Sequence, residues 1–211
     1  ENGGENTQEK RYFAKVLWGG LLKSRKSAAL PGAKIYPPTL TNSDLANIKI
    51  AKEMGVTGVM QPFVRDHSDL ECVKEALREA GAEDIRLFAK IENMDGVRKL
   101  EELLPAADEI VIARGDLGNA VHLWDLPGVQ RQISEKCRAA GKPFMVVTQM
   151  LASMERSPVP TRAEVNDIFH AVMDGAASIM VTGETAVGDY PVEVIRYMVN
   201  TVRSAEKEEN R

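Results

Sequence analysis

The chain has 211 residues, 44% of them hydrophobic and 27% charged, with a formal net charge of −4. That length holds one domain with a sizeable core, or a piece of a larger α/β domain. The acidic balance, without a basic cluster, argues against a nucleic-acid partner, and no apolar run approaches membrane-spanning length.

Glu1 to Lys10 is polar and reads as a frayed start. Tyr12 to Leu17 has the pattern of a short strand, Gly19-Gly20 of a tight turn, and Leu21 to Gly32 of a returning strand and linker. Pro31-Gly32 and Pro37-Pro38 punctuate the boundary after it. Thr41-Asn42-Ser43-Asp44 caps a helix expected to reach Met54, with Gly55 ending it. Strands are then predicted over Thr57 to Met60, Arg86 to Ala89, Glu109 to Ala113, Phe144 to Val147 and Ser178 to Val181. Helices are predicted over Ser68 to Ala80, Asp95 to Leu104, Trp124 to Ala140, Thr161 to Met173 and Pro191 to Lys207.

These are five strand–helix units in succession, preceded by one helix. Short β-branched strands alternating with helices indicate parallel βαβ construction. Nearly every strand is followed at once by polar or glycine-rich residues, and a site built from several strand ends is the arrangement of a barrel. A dinucleotide fold would gather glycines after its first strand, and no Gly-x-Gly-x-x-Gly occurs here. The expected fold class is therefore α/β, a partial TIM (β/α) barrel. A closed barrel has eight strands, so three strands' worth of chain is missing before Thr57.

Lys90 and Glu92 stand two apart at the end of a strand, so both point to the same side. Asp116 follows the next strand at the same level. One ammonium and two carboxylates then converge on neighbouring strand ends. Two carboxylates are what Mg²⁺ asks of a protein, with substrate and water completing its octahedron. A lysine beside them suits a site where negative charge develops on oxygen. Cys72 and Cys137 lack metal-type spacing and read as reduced structural thiols. His67, His122 and His170 do not converge in the pattern. No leader peptide is evident, which points to the cytoplasm. The start at Glu1, not at methionine, suggests a fragment or a processed chain.

Several segments fall in a familiar order: Ser24-Arg25-Lys26, Leu30-Pro31-Gly32-Ala33, Phe63-Val64-Arg65, Lys90-Ile91-Glu92-Asn93, Ala113-Arg114-Gly115-Asp116-Leu117-Gly118, Thr148-Gln149-Met150-Leu151, Pro160-Thr161-Arg162-Ala163-Glu164 and Gly183-Glu184-Thr185-Ala186. Taken together they resemble the pyruvate kinase family, from Val16 to about Glu206. The resemblance implies phosphoryl transfer from phosphoenolpyruvate to ADP, giving pyruvate and ATP, with Mg²⁺ and usually K⁺. It implies that residues 1–32 are the remnant of an inserted lid domain and its linker. Residues 33–211 would be the C-terminal part of the barrel, strands four to eight. The family's first three barrel strands and C-terminal domain have no counterpart here. Its potassium ligands and substrate arginine come from those strands.

By the same resemblance, Glu92 and Asp116 hold the magnesium, and Lys90 faces the transferring phosphoryl group and the enolate oxygen. Gly115 and Asp116 offer backbone amides to the substrate carboxylate. Thr148 contacts the phosphoryl group and helps protonate the enolate carbon. Thr182, where the family often has serine, belongs to a water network near the enolate, while Glu184 is either part of the site or structural. Arg162 and Glu164 read as scaffold at a helix start and as a subunit contact. Pro62 replaces a serine common in the family. The partners implied are phosphoenolpyruvate or pyruvate, ADP or ATP, and a second copy or the missing barrel half. The isolated chain is expected to be weakly active or inactive. Two other readings stay open on the residues alone: a lyase or aldolase acting through a magnesium–pyruvate enolate, and a non-catalytic module that binds metal and small oxo-acids.

Overall fold

Short, largely apolar runs of three to six residues form strands here, and the 3.6-residue patterns between them form helices. The structure is a computed structural model and describes residues 15–17, 19–21, 24 and 36–209. The strands expected over Tyr12 to Leu17 and Leu21 to Gly32 fall largely outside these residues, and so does the unit expected over 1–32.

The strands are β1 (Gly58–Gln61), β2 (Arg86–Ile91), β3 (Glu109–Ala113), β4 (Phe144–Val147) and β5 (Ser178–Met180). They form one parallel sheet in the order β1-β2-β3-β4-β5. Chain order equals spatial order, as successive right-handed βαβ crossovers give. The registers run Gln61 to Ala89, Ile91 to Ile112, Ala113 to Val147 and Val147 to Met180. All five C-terminal strand ends therefore share one rim.

The helices are α1 (Asn42–Ala51), α2 (His67–Glu79), α3 (Met94–Arg98), α4 (Leu100–Leu103), α5 (Arg114–Ala120), α6 (Leu126–Ala139), α7 (Arg162–Met173), α8 (Gly183–Ala186) and α9 (Pro191–Glu209), with a 3-10 turn over Ala152–Glu155. Thr41 with Asp44 and Thr161 with Glu164 form capping boxes, each satisfying orphan N–H groups reciprocally. Gly81 and Gly141 follow α2 and α6 with φ of 63° and 62°, a turn that a Cβ would disfavour.

The expected helix over Asp95 to Leu104 is broken at Lys99, whose φ of −97° and ψ of 14° leave the helical region. The break accompanies burial of Val97, Leu100 and Leu103, while the Lys99 ammonium pairs with Asp66 at 3.2 Å. The helix expected from Trp124 starts instead at Leu126, with Pro127 in its first turn, where no N–H is needed. Trp124 stays 78% exposed and stacks on His122. Helices α5 and α8 do not stand apart from their strands in the sequence pattern.

The sheet is apolar on both faces, as a parallel sheet requires. On one face Leu87, Ala89, Ile91, Ile110, Ile112, Phe144 and Val146 pack with helix residues such as Leu70, Leu77, Ile133, Ile168 and Val194. On the other, Val111, Ala113, Met145 and Val147 form a smaller cluster with Phe88 and Met180. β3 is buried along its whole length.

The turn after β1 is tied to α2 by Asp69. Its carboxylate accepts from the Arg65 guanidinium at 2.6 and 3.0 Å, from the Arg65 amide at 2.8 Å and from the Thr39 hydroxyl at 2.6 Å. Burial alone would push this carboxyl up, but the hydrogen bonds together outweigh it and bring it from 3.8 down to about 2. A depressed carboxyl stabilises the fold above its unfolded value, and the contribution is lost as pH falls through the folded value. Asp69→Asn is expected to cost about 2 kcal/mol near neutral pH. The difference from the parent protein should shrink between about pH 4 and pH 2, as read from urea unfolding across that range.

Candidate functional site

Strand β2 carries Lys90, and Glu92 follows its last residue. The two side chains meet, Lys90 Nζ to Glu92 Oε1 at 2.8 Å. Glu92 is only 3% exposed, so its charge needs strong partners. The second is the backbone amide of Phe63, just past β1, which donates to Glu92 Oε2 at 2.7 Å. Phe63 itself has a φ of 52°, so this amide is turned toward the carboxylate by an uncommon backbone conformation. Pro62 lines a cleft of about 430 Å³ with Gln61, Phe63, Arg65 and Asn93.

Gly115 and Asp116 lie in the first turn of α5, directly after β3. No side chain caps this helix start. Asp116 is exposed. With Ile91 in register with Ile112, Glu92 and Asp116 stand at the same rim on adjacent strand ends. Among the described residues no three His, Cys, Asp or Glu side chains converge to hold a metal. Glu92 and Asp116 are thus two carboxylate residues at that rim.

Thr148 and Gln149 follow β4 with φ of 84° and 55°. Neither is glycine, and Thr148 is β-branched. Such positions cost on the order of 1–3 kcal/mol each and persist only where surroundings over-determine them. The Thr148 side chain lies against Gly115: a Cβ added there would stand 3.0 Å from Thr148 Cγ2 and 3.5 Å from its hydroxyl oxygen. Gly115 therefore leaves room that the threonine fills.

Thr182 follows β5. Its amide donates to Glu184 Oε2 at 2.7 Å. Glu184 is buried, and its Oε1 accepts from the Leu151 amide at 3.3 Å. This carboxylate braces the turn after β5 against the turn after β4. Glu164 braces a second junction: Ser153 donates to it through both amide and hydroxyl, and Thr161 does the same. Burial pushes the Glu164 carboxyl up, and these bonds together bring it below its ordinary value.

The strand ends thus gather three groupings on one rim: Lys90 with Glu92, Gly115 with Thr148, and Thr182 with Glu184. The histidines stay apart, His67 near Glu71, His122 on Trp124 and His170 against the Asn166 carbonyl.

A family model described as pyruvate kinase, barrel domain, matches residues 4–195. The chain belongs to the pyruvate kinase barrel family. It is 40% identical over 202 residues to a pyruvate kinase of Bacillus licheniformis, covering 96% of this chain and 34% of that protein. To a pyruvate kinase of Geobacillus stearothermophilus it is 43% identical over 183 residues, 87% of this chain and 31% of the relative. To one of Dictyostelium discoideum it is 42% identical over 185 residues, 88% and 36% of the two chains. The chain spans about a third of the length of the curated relatives it matches. No helix among the described residues is long and apolar enough to cross a membrane.

Two contacts at this pyruvate kinase rim join residues too far apart in the chain for any spacing rule to pair them. One is made by the Phe63 amide, 29 residues from Glu92. The other is made by Arg114, whose partners lie 34 and 53 residues away. Its place in the Ala113-Arg114-Gly115-Asp116 segment is its sole pointer in the sequence.

Proposed function

We propose that this chain carries the phosphoenolpyruvate-facing part of a pyruvate kinase active site, which moves a phosphoryl group from phosphoenolpyruvate to ADP and yields pyruvate and ATP. The observation that carries this is the ion pair of Lys90 with the buried Glu92 carboxylate, on the same rim as the uncapped start of α5.

Glu92 and Asp116 fit magnesium by the chemistry of their donors: hard carboxylate oxygens, few in number, leaving room for substrate and water. Held by these two carboxylates, magnesium would supply charge neutralisation at the substrate's oxygens. Lys90 presents an ammonium where the enolate oxygen and the phosphoryl group carry negative charge. Glu92 holds that ammonium in place before substrate arrives. The Gly115 and Asp116 amides, without a side-chain cap, bind the substrate carboxylate. The Thr148 hydroxyl contacts the phosphoryl group and leads a proton to the enolate carbon. Thr182 orders water beside it through its own hydroxyl. Potassium is expected for the family, with ligands outside these residues.

Turnover by these 211 residues alone is expected to be weak or nil, because positioning supplies much of phosphoryl-transfer catalysis. A cytoplasmic setting, and association with another copy or with the remaining strands, belong to the same proposal. The test is calorimetric titration of phosphoenolpyruvate with and without Mg²⁺, beside an ADP-dependent pyruvate assay. Binding should require Mg²⁺, and turnover should lie at least about a hundredfold below a complete kinase. Binding indifferent to Mg²⁺, or pyruvate released at the same rate without ADP, would sink the proposal.

A further inference from the structure

Arg114 leaves β3 directly, and its side chain is only 13% exposed. Its guanidinium offers five N–H donors in one plane. NH1 donates to both Asp167 oxygens, at 2.8 and 2.7 Å. Nε and NH2 both donate to the Thr148 carbonyl, at 3.2 and 2.7 Å. NH2 also lies 2.9 Å from Met150 Sδ. One planar cation thereby ties the end of β3, the turn after β4 and helix α7 together.

That turn is the strained one. Thr148 and Gln149 both sit at positive φ, and such a conformation survives only when the surroundings enforce it. The Thr148 carbonyl is the atom that Arg114 grips twice with charge-assisted bonds. Asp167 keeps the guanidinium plane turned so that Nε and NH2 face the carbonyl. The φ of Thr148 in turn decides where its hydroxyl stands over Gly115.

We propose that Arg114 is a positioning residue, acting through the Thr148 carbonyl to hold the Thr148 hydroxyl over the start of α5. The inference rests on the proposed role of Thr148, and Asp167 is the anchor that aims the guanidinium. A lysine cannot substitute, because a single ammonium lacks the planar pair of donors on one acceptor and the second pair on Asp167.

The test compares the parent chain with Arg114→Lys and Asp167→Asn. One readout is the amide–α-proton coupling of Thr148 by NMR taken with the intraresidue amide–α-proton NOE, which together report the size and sign of its φ. The other is phosphoenolpyruvate affinity in Mg²⁺. The expected result is a folded Arg114→Lys protein in which Thr148 leaves positive φ and affinity falls about tenfold or more. Asp167→Asn should shift the coupling in the same direction by a smaller amount, and it decides the matter if Arg114→Lys does not fold. A variant that is less stable but keeps the Thr148 coupling would show a purely structural arginine and overturn the proposal. If the parent chain binds no phosphoenolpyruvate, the functional reading fails on its own, and the coupling still decides whether Arg114 sets the turn.

Discussion

Glu92→Gln is expected to abolish the magnesium dependence of phosphoenolpyruvate binding, with affinity in Mg²⁺ falling more than about a hundredfold. Changes to outer partners of a metal ligand already cost about 10–100-fold, and this substitution removes the charge of the proposed ligand itself. The amide is nearly isosteric, so the Phe63 amide keeps an oxygen to donate to in place of Glu92 Oε2. Lys90 loses its counter-charge but is a quarter exposed and reaches water. The fold should therefore tolerate the change, with an unfolding midpoint near that of the parent. Titration calorimetry gives the affinity and thermal unfolding gives the stability. A Glu92→Gln protein that still binds phosphoenolpyruvate in a Mg²⁺-dependent way would remove Glu92 from the donor set.

Gly188→Ala is expected to be the most damaging glycine-to-alanine change among the described residues. A Cβ at Gly188 would run into the Glu184 carbonyl oxygen and stand 3.0 Å from the Glu184 carbonyl carbon and 3.2 Å from the Glu155 Cα. These are backbone atoms and cannot swing aside. Helix α8 must shift as a unit, and the buried Glu184 carboxylate then leaves the Thr182 and Leu151 amides it satisfies. Overpacking of roughly 1–3 kcal/mol and the loss of a buried hydrogen-bonded carboxylate act together, for about 3 kcal/mol or more. Gly128→Ala is the matched control. It lies exposed in α6 with open space where its Cβ would go, and alanine there should stabilise by about 0.5–1 kcal/mol. Urea unfolding of the two variants should give opposite signs. Equal and small effects would mean the α8 junction is looser than its geometry.

Much of this architecture was legible in the linear pattern, for identifiable reasons. Period two placed Lys90 beside Glu92, and the structure brings them to 2.8 Å. Thr41-x-x-Asp44 and Thr161-x-x-Glu164 announced their helices because capping is a contact over three residues. Strand ends could be placed because buried parallel strands are short apolar runs with polar residues after them. The hidden part depends on distance along the chain or on conformation without a marker residue. Positive φ at Phe63, Thr148 and Gln149 has no glycine to signal it. The brace from Glu184 to Leu151 spans 33 residues, and no spacing rule reaches that far. Helix α5 contains Gly115 and Gly118, which weaken its intrinsic propensity, and its position at the strand end decides its form instead.

The guanidinium of Arg114 gathers three stretches of chain onto one flat group. Positions 114 and 167 therefore cannot drift one at a time, whereas at 148 it is the main-chain carbonyl that is held. A lineage that altered Asp167 first would leave a half-anchored cation beside a turn whose shape depends on it. Such a lineage would have to change the partner side chains in step or discard the turn altogether.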